Sequence, residues 1–189
     1  MASATIRRME FHPVTPERLP DLTSFSRQHG KFRWCSCMRW RMPSSEYKNS
    51  TKPMREAALG ELVREGTPVG ILGYSEGEPV AWCSVAPRET YAALERSRKI
   101  PRVDDEPAWS VVCFFLDSKV RGQGSTLALL EAAVGYARSR GARIVEGYPW
   151  PGGASYRYMG TSETFQEAGF REVIPPGPDT RQVMRLFPY

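Results

Sequence analysis

The stretch from Trp109 to Leu116 (Trp-Ser-Val-Val-Cys-Phe-Phe-Leu) constrains the fold more than any other part of the chain. A near-continuous apolar run of this length, without polar alternation, reads as a strand covered on both faces. Asp117 to Gly124 follows as a polar, glycine-bearing turn. From Ser125 to Arg140 the spacing predicts a helix with Leu127, Leu130, Val134 and Ala137 on one face, closed by Gly141. Arg143 to Tyr148 reads as another strand. Strand, helix and strand in direct succession make a crossover, which needs a sheet with helices packed on it.

The remaining segments supply that sheet. Ile6 to Pro13 reads as a first strand. Thr15-Pro16-Glu17 has the form of an N-cap with proline at the first helical position, and Leu19, Leu22 and Phe25 follow at helical spacing up to Gly30. Pro20 sits inside that helix and moves its expected start later. Residues 31 to 52 read as irregular and rich in aromatics, and Pro53 to Glu65 as a second helix ended by Gly66. Val69 to Tyr74 and Pro79 to Val85, separated by Ser75-Glu76-Gly77-Glu78, predict a hairpin. Glu89 to Arg98 reads as a short charged helix. Beyond the crossover come a loop over 149 to 161, a short helix from Ser162 to Ala168, and a strand pair from Phe170 to Ile174 and Gln182 to Phe187. The fold class is thus α/β in one domain over residues 1–189, with a largely antiparallel first half.

Composition narrows the function. Hydrophobic residues make up 41% and charged residues 25%, as in ordinary globular chains. No apolar run reaches the roughly 18 residues of a membrane span, and Met1 to Glu10 lacks the apolar core of a secretory signal. Cys35, Cys37, Cys83 and Cys113 then read as free thiols, and a cytoplasmic location is expected. The net charge of +5 and pI near 9.2 fit nucleic acid, a membrane surface or a phosphorylated cofactor. Because Lys and Arg are scattered without a block of like charge, neither nucleic acid nor membrane is expected as a partner. Oligomeric state has no signal in the sequence.

The chemistry points to Arg121-Gly122-Gln123-Gly124-Ser125-Thr126, between the buried strand and the helix. Glycines let backbone N–H groups approach an anion, and the helix start adds about half a positive charge. This suits a pyrophosphate, with Arg121 as a further cationic contact. A Walker-A loop is rejected, because no lysine precedes Ser125. A dinucleotide fingerprint would want a small residue at Leu127, although Glu146 stands about where its ribose-binding acid would be. A purely structural turn is the other alternative.

Val111 to Gly141 resembles motif A of the Gcn5-related N-acetyltransferases, (Q/R)-x-x-G-x-(G/A), matched by Arg121, Gly122 and Gly124. Glu167-Ala-Gly-Phe170 is similar to the family's segment before its last two strands. The resemblance implies a mixed, mostly antiparallel central sheet flanked by helices, with a splayed strand pair at the acetyl-CoA site. It also implies acetyl-CoA as donor, with Phe114, Phe115 and Leu116 holding the pantetheine arm and polarising the thioester, and Arg121 to Thr126 holding the pyrophosphate. Two positions depart from the pattern. Thr126 replaces the final small residue, and Phe165 stands where many members carry a tyrosine that protonates the leaving thiolate; Tyr158, Tyr156 or Thr161 are the substitutes.

The implied reaction is direct attack of a neutral amine on the thioester. Ser110 occupies the place of the glutamate base in the histone-acetylating branch, so Glu146 becomes the first candidate base, with a salt-bridged structural role as its alternative. Asp117 and the acids Asp104, Asp105 and Glu106 are the other choices. Cys113 admits an acetyl-cysteine route, but no histidine neighbours it, and packing as a small hydrophobe is preferred. The segment Phe32 to Arg41 is read as an acceptor-pocket wall formed by Trp34 and Trp40, as core, or as a zinc clip; no metal is expected. An aromatic insert that closes a cleft favours a small-molecule amine acceptor. The alternatives are a protein or peptide acceptor, or an acyl-CoA-binding domain without catalysis.

Overall fold

The computed structural model describes residues 9–29, 35–122, 124–149 and 158–188. Seven strands form one sheet: β1 (Glu10–Pro13), β2 (Ile71–Ser75), β3 (Glu78–Pro87), β4 (Ala108–Leu116), β5 (Ile144–Gly147), β6 (Arg171–Ile174) and β7 (Val183–Leu186). Their spatial order is β1-β2-β3-β4-β5-β7-β6. Every neighbouring pair is antiparallel except β4 and β5, which run parallel. The sheet is therefore mixed and mostly antiparallel, as expected. The helices are α1 (Leu19–Gln28), α2 (Ser44–Asn49), α3 (Lys52–Arg64), α4 (Ala92–Glu95), α5 (Ser125–Ser139) and α6 (Ser162–Glu167).

Local rules explain most boundaries. Pro16 to Arg18 forms a 3-10 turn and α1 begins at Leu19, which places Pro20 in its first turn, where a missing N–H costs no helix bond. The Thr51 hydroxyl caps α3 by accepting from Met54 N. Gly30 lies outside the described residues, as do Ile6, Arg7 and Arg8 of the expected first strand.

The connecting helix α5 packs Leu129, Leu130, Ala133 and Ala137, all fully buried, onto the sheet. Leu127, expected on this face, is only half-buried, and Leu129 takes its place. The inward stripe is thus Leu129, Ala133 and Ala137 with Leu130 and Val134 beside it, an arc of roughly 140° at about 100° per residue. Burying each leucine contributes roughly 1.5–3 kcal/mol. A second layer, built by Leu22, Phe25, Leu59 and Val63, covers the opposite face around Trp82 and Phe115. Both faces of β4 are covered, as its apolar run requires.

Two helices depart from expectation: the one expected over Glu89 to Arg98 is reduced to Ala92–Glu95 after a 3-10 turn at Arg88–Thr90, and a further one forms where none was expected. Ser44 to Asn49 is helical although its sequence, Ser-Ser-Glu-Tyr-Lys-Asn, has no apolar period. Tertiary contact holds it: the Arg55 guanidinium lies 5.0 Å from the Tyr47 ring centroid and donates to Ser50 O at 2.6 Å.

Candidate active site

The glycine turn has the form its chemistry asks for. Gly122 and Gly124 adopt φ of 82° and 70°, a left-handed backbone that side chains disfavour, and open space surrounds both α-carbons. Gly124 is the N-cap of α5, and no side chain caps this helix. The short helix α6, by contrast, is capped by the Thr161 hydroxyl. The longest helix on the sheet therefore presents its first N–H groups, at Ser125, Thr126 and Leu127, without helix partners. No acidic residue occupies its first turn. This cradle fits a pyrophosphate. Ser125 Oγ turns inward to Val120 O at 2.5 Å. Arg121 folds back, donating from Nε and Nη2 to Leu116 O at 3.0 and 2.8 Å, so it ties the turn to the end of β4. Gln123 lies outside the described residues.

Beside the turn, β4 carries a β-bulge. Cys113 pairs with Ser84 and Val111 with Val85, which leaves Val112 as an extra residue. The bulge resets the alternation. Val112, Cys113 and Phe115 line a cleft on one face, while Val111, Phe114 and Leu116 join the core under α5. The β4–β5 ladder runs from Ala108↔Ile144 to Val111↔Gly147, whereas β4 continues to Leu116. Gly147, the last residue of the ladder, has no room for a side chain, because the Phe165 Cε1 lies 2.0 Å from its ideal Cβ position.

The cleft encloses about 830 Å³. Trp40 and Tyr158 form aromatic walls, Cys35 and Cys113 contribute thiols, and Arg39, Arg96, Lys99 and Arg181 contribute positive charge. Tyr158 stacks on Phe115 at 6.1 Å between ring centroids with planes 9° apart. Ser36 and Cys37 are both left-handed (φ 45° and 51°), which turns Cys37 into the core, where Trp82 Nε1 donates to its sulfur at 2.8 Å. Burial pushes the Cys37 thiol well above its ordinary range, with a thiol–thiol hydrogen bond to Cys113 as the next cause; burial also raises Cys35. Among the described residues no group of three His, Cys, Asp or Glu side chains is placed to hold a metal.

Glu146 is not among the residues that line this cleft. Its side chain is 1% exposed and accepts from Arg88 Nη1 at 2.9 Å, Arg185 Nε at 2.8 Å and the Tyr148 hydroxyl at 2.6 Å. Arg185 in turn donates twice to Asp104, at 2.5 and 2.9 Å, and Arg88 donates to Glu95 Oε1 at 2.8 Å and Ile100 O at 3.0 Å. Ser110 closes the network on the Tyr148 hydroxyl at 2.6 Å. Two guanidiniums and a phenol thus fix this carboxylate, and both buried arginines depend on its charge. The same network holds Arg88 away from solvent.

Of the expected cofactor residues, Phe114 is 3% exposed and packs on Phe165, Phe115 faces the cleft, and Leu116 offers its carbonyl to Arg121. Thr126 is half-buried in the first turn of α5. Phe165 is fully buried between Phe114 and Phe170. Trp40 lines the cleft, whereas Trp34 and Tyr156 lie outside the described residues. Sequence reasoning missed Arg39, Arg96, Lys99, Met159 and Arg181, which come from separated segments and form no local pattern. His29 lies outside the cleft lining, 3.5 Å from Asp117 and beside the Phe115 ring.

Comparison with known proteins gives the family and the fold. The profile of the acetyltransferase (GNAT) family matches residues 34–148, more than half of the chain. The chain belongs to that family, and transfer of an acetyl group from acetyl-CoA follows from the membership. No curated protein matches the sequence. Among solved structures, a Drosophila melanogaster polyamine N-acetyltransferase that forms N-acetylagmatine is similar at 15% identity and TM-score 0.55, covering 95% of this chain and 100% of that one. Arylalkylamine N-acetyltransferase 2 from Aedes aegypti gives 13% identity and TM-score 0.59, over 95% and 99%. The PaiA N-acetyltransferase of Thermoplasma acidophilum, in complex with coenzyme A, gives 12% and 0.55, over 95% and 99%. Such identities establish a shared fold. No helix among the described residues is long and apolar enough to cross a membrane.

Proposed function

We propose that the chain is one N-acetyltransferase domain over residues 1–189 that acetylates the amine of a small molecule in the cytoplasm. The observation that carries this reading is the cleft of about 830 Å³ that begins at the β4 bulge and is walled by Trp40 and Tyr158. Its volume lies in the range of small-ligand sites, roughly 300–1,000 Å³.

The bare N-terminus of α5 would hold the pyrophosphate of acetyl-CoA, and β4 beyond Val111 would hold the pantetheine arm. When bound, the donor supplies an acetyl thioester. Backbone N–H groups near the bulge polarise its carbonyl, and the aromatic walls align the amine and exclude water. Tyr158 stands on the cleft wall next to Phe115 and is the proposed donor of a proton to the leaving sulfur. The described lining contains no Asp, Glu or His, so the amine reaches the cleft as the free base, its proton lost to water. Direct attack is favoured over a Cys113 intermediate, because no hydrogen bond among the described residues joins the Cys113 thiol to His12 or His29.

Initial rates over a grid of acetyl-CoA and amine concentrations test this reading. Intersecting lines are expected, with Cys113→Ala retaining turnover. Parallel lines and an acetylated protein would reject direct attack, and coenzyme A binding without turnover across an amine panel would reject the enzyme reading.

A further inference from the structure

We propose that the acceptor is an anionic amine, a small molecule with a carboxylate or phosphate close to the amino group that reacts; this deepens the reading above and rests on it. Four cationic side chains, Arg39, Arg96, Lys99 and Arg181, line the cleft, and no carboxylate does so among the described residues. They come from three separate segments, so the charge is assembled by the fold and is not a run along one element. Trp40 gathers two of them, with the Arg39 and Arg181 guanidiniums 5.6 and 5.9 Å from its ring centroid.

The acids nearby are already engaged. Glu95 pairs with Arg88 and Arg102, and Asp104 with Arg185. Among the described residues, Arg39, Arg96 and Lys99 form no ion pair with any of them. Like charges crowded around one cavity repel each other, and an anion between them removes that repulsion. The same field disfavours a second positive charge, so it excludes polycations and favours the acceptor nitrogen as the neutral nucleophile. Polyamines and agmatine, which give the similar fly enzyme its name, are cationic at a second position, the opposite of what this cleft is built to hold.

Matched acceptors test the proposal: phenylalanine against phenethylamine for the carboxylate, and phosphoethanolamine against ethanolamine for the phosphate. At least one anionic member is expected to exceed its partner lacking the anionic group tenfold or more in kcat/KM, and whichever pair shows the effect identifies the anion. Lys99→Glu and Arg96→Glu, both at exposed positions that tolerate substitution, should each cut that preference at least tenfold while coenzyme A affinity stays within twofold. Acetylation of the partners lacking the anionic group with equal or greater efficiency would overturn the anionic acceptor and leave the acetyltransferase reading standing. If no amine is acetylated, that reading falls, and the anion site is judged by titrating phenylpropionate and inorganic phosphate into the coenzyme A complex by calorimetry. Binding that is lost in Lys99→Glu supports the site, and the absence of binding overturns it.

Discussion

Replacing Glu146 by glutamine separates a positioning carboxylate from a catalytic base. The substitution keeps the side-chain shape and removes the charge that holds two buried guanidiniums, Arg88 and Arg185, each 3% exposed. Its new amide NH2 must also face either Arg88 with Tyr148, or Arg185, and donors then oppose donors where hydrogen bonds of 2.6 to 2.9 Å stood. Breaking a buried pair by removing one partner costs about 3–5 kcal/mol. For a chain of this size each kcal/mol shifts Tm by roughly 2–4 °C, so a fall of roughly 6–20 °C is expected by circular dichroism. Well below that Tm, the pH profile of kcat/KM should keep its shape, because the proton leaves the amine to water. A Tm within a degree or two of the parent, together with a hundredfold loss of kcat and a vanished pH inflection, would refute this reasoning and restore Glu146 as the base.

Three further outcomes follow from the site. Gly124→Val places a branched side chain on a left-handed backbone, in the open space where an anion would approach; coenzyme A affinity measured by calorimetry should fall tenfold or more, a loss of at least about 1.4 kcal/mol. Tyr158→Phe should lower kcat by less than about a hundredfold, since a thiolate leaves readily without an acid; a larger loss would make this hydroxyl indispensable. Hydrogen bonding to Arg185 holds the Asp104 carboxyl below the ordinary aspartate value of about 3.9. Its contribution to stability is therefore complete above that pH and lost as pH falls through the lower folded value. The Tm difference between the parent and Asp104→Asn should accordingly be constant from pH 7 to about 5 and shrink towards pH 3; a difference that grows on acidification would contradict the pairing.

The parts of the fold visible in the sequence are those set by short-range patterns. The apolar run ending at Leu116, the glycines at 122 and 124 and the helical spacing after Ser125 locate β4, the turn and α5 to within a residue. Pro20 marks the true start of α1. Helix α2 escaped because Ser44 to Asn49 has no period of its own and is held by Arg55. Glu146 looked available as a base because Arg88 and Arg185, 58 and 39 residues away, leave no local sign of their approach. The charged lining of the cleft was illegible for the same reason, with Arg39, Lys99 and Arg181 meeting only through the sheet. The bulge at Val112 also left no mark, since an extra residue in an apolar run changes no visible period.

A crystal structure of the protein with coenzyme A tests the central claim most directly. The account requires the pyrophosphate within hydrogen-bond distance of the backbone N–H groups of Ser125 and Thr126, with the thiol beside the Val112–Cys113 bulge and open to the cleft walled by Trp40 and Tyr158. Pyrophosphate bound away from the start of α5, or a thiol that does not face this cleft, would contradict it.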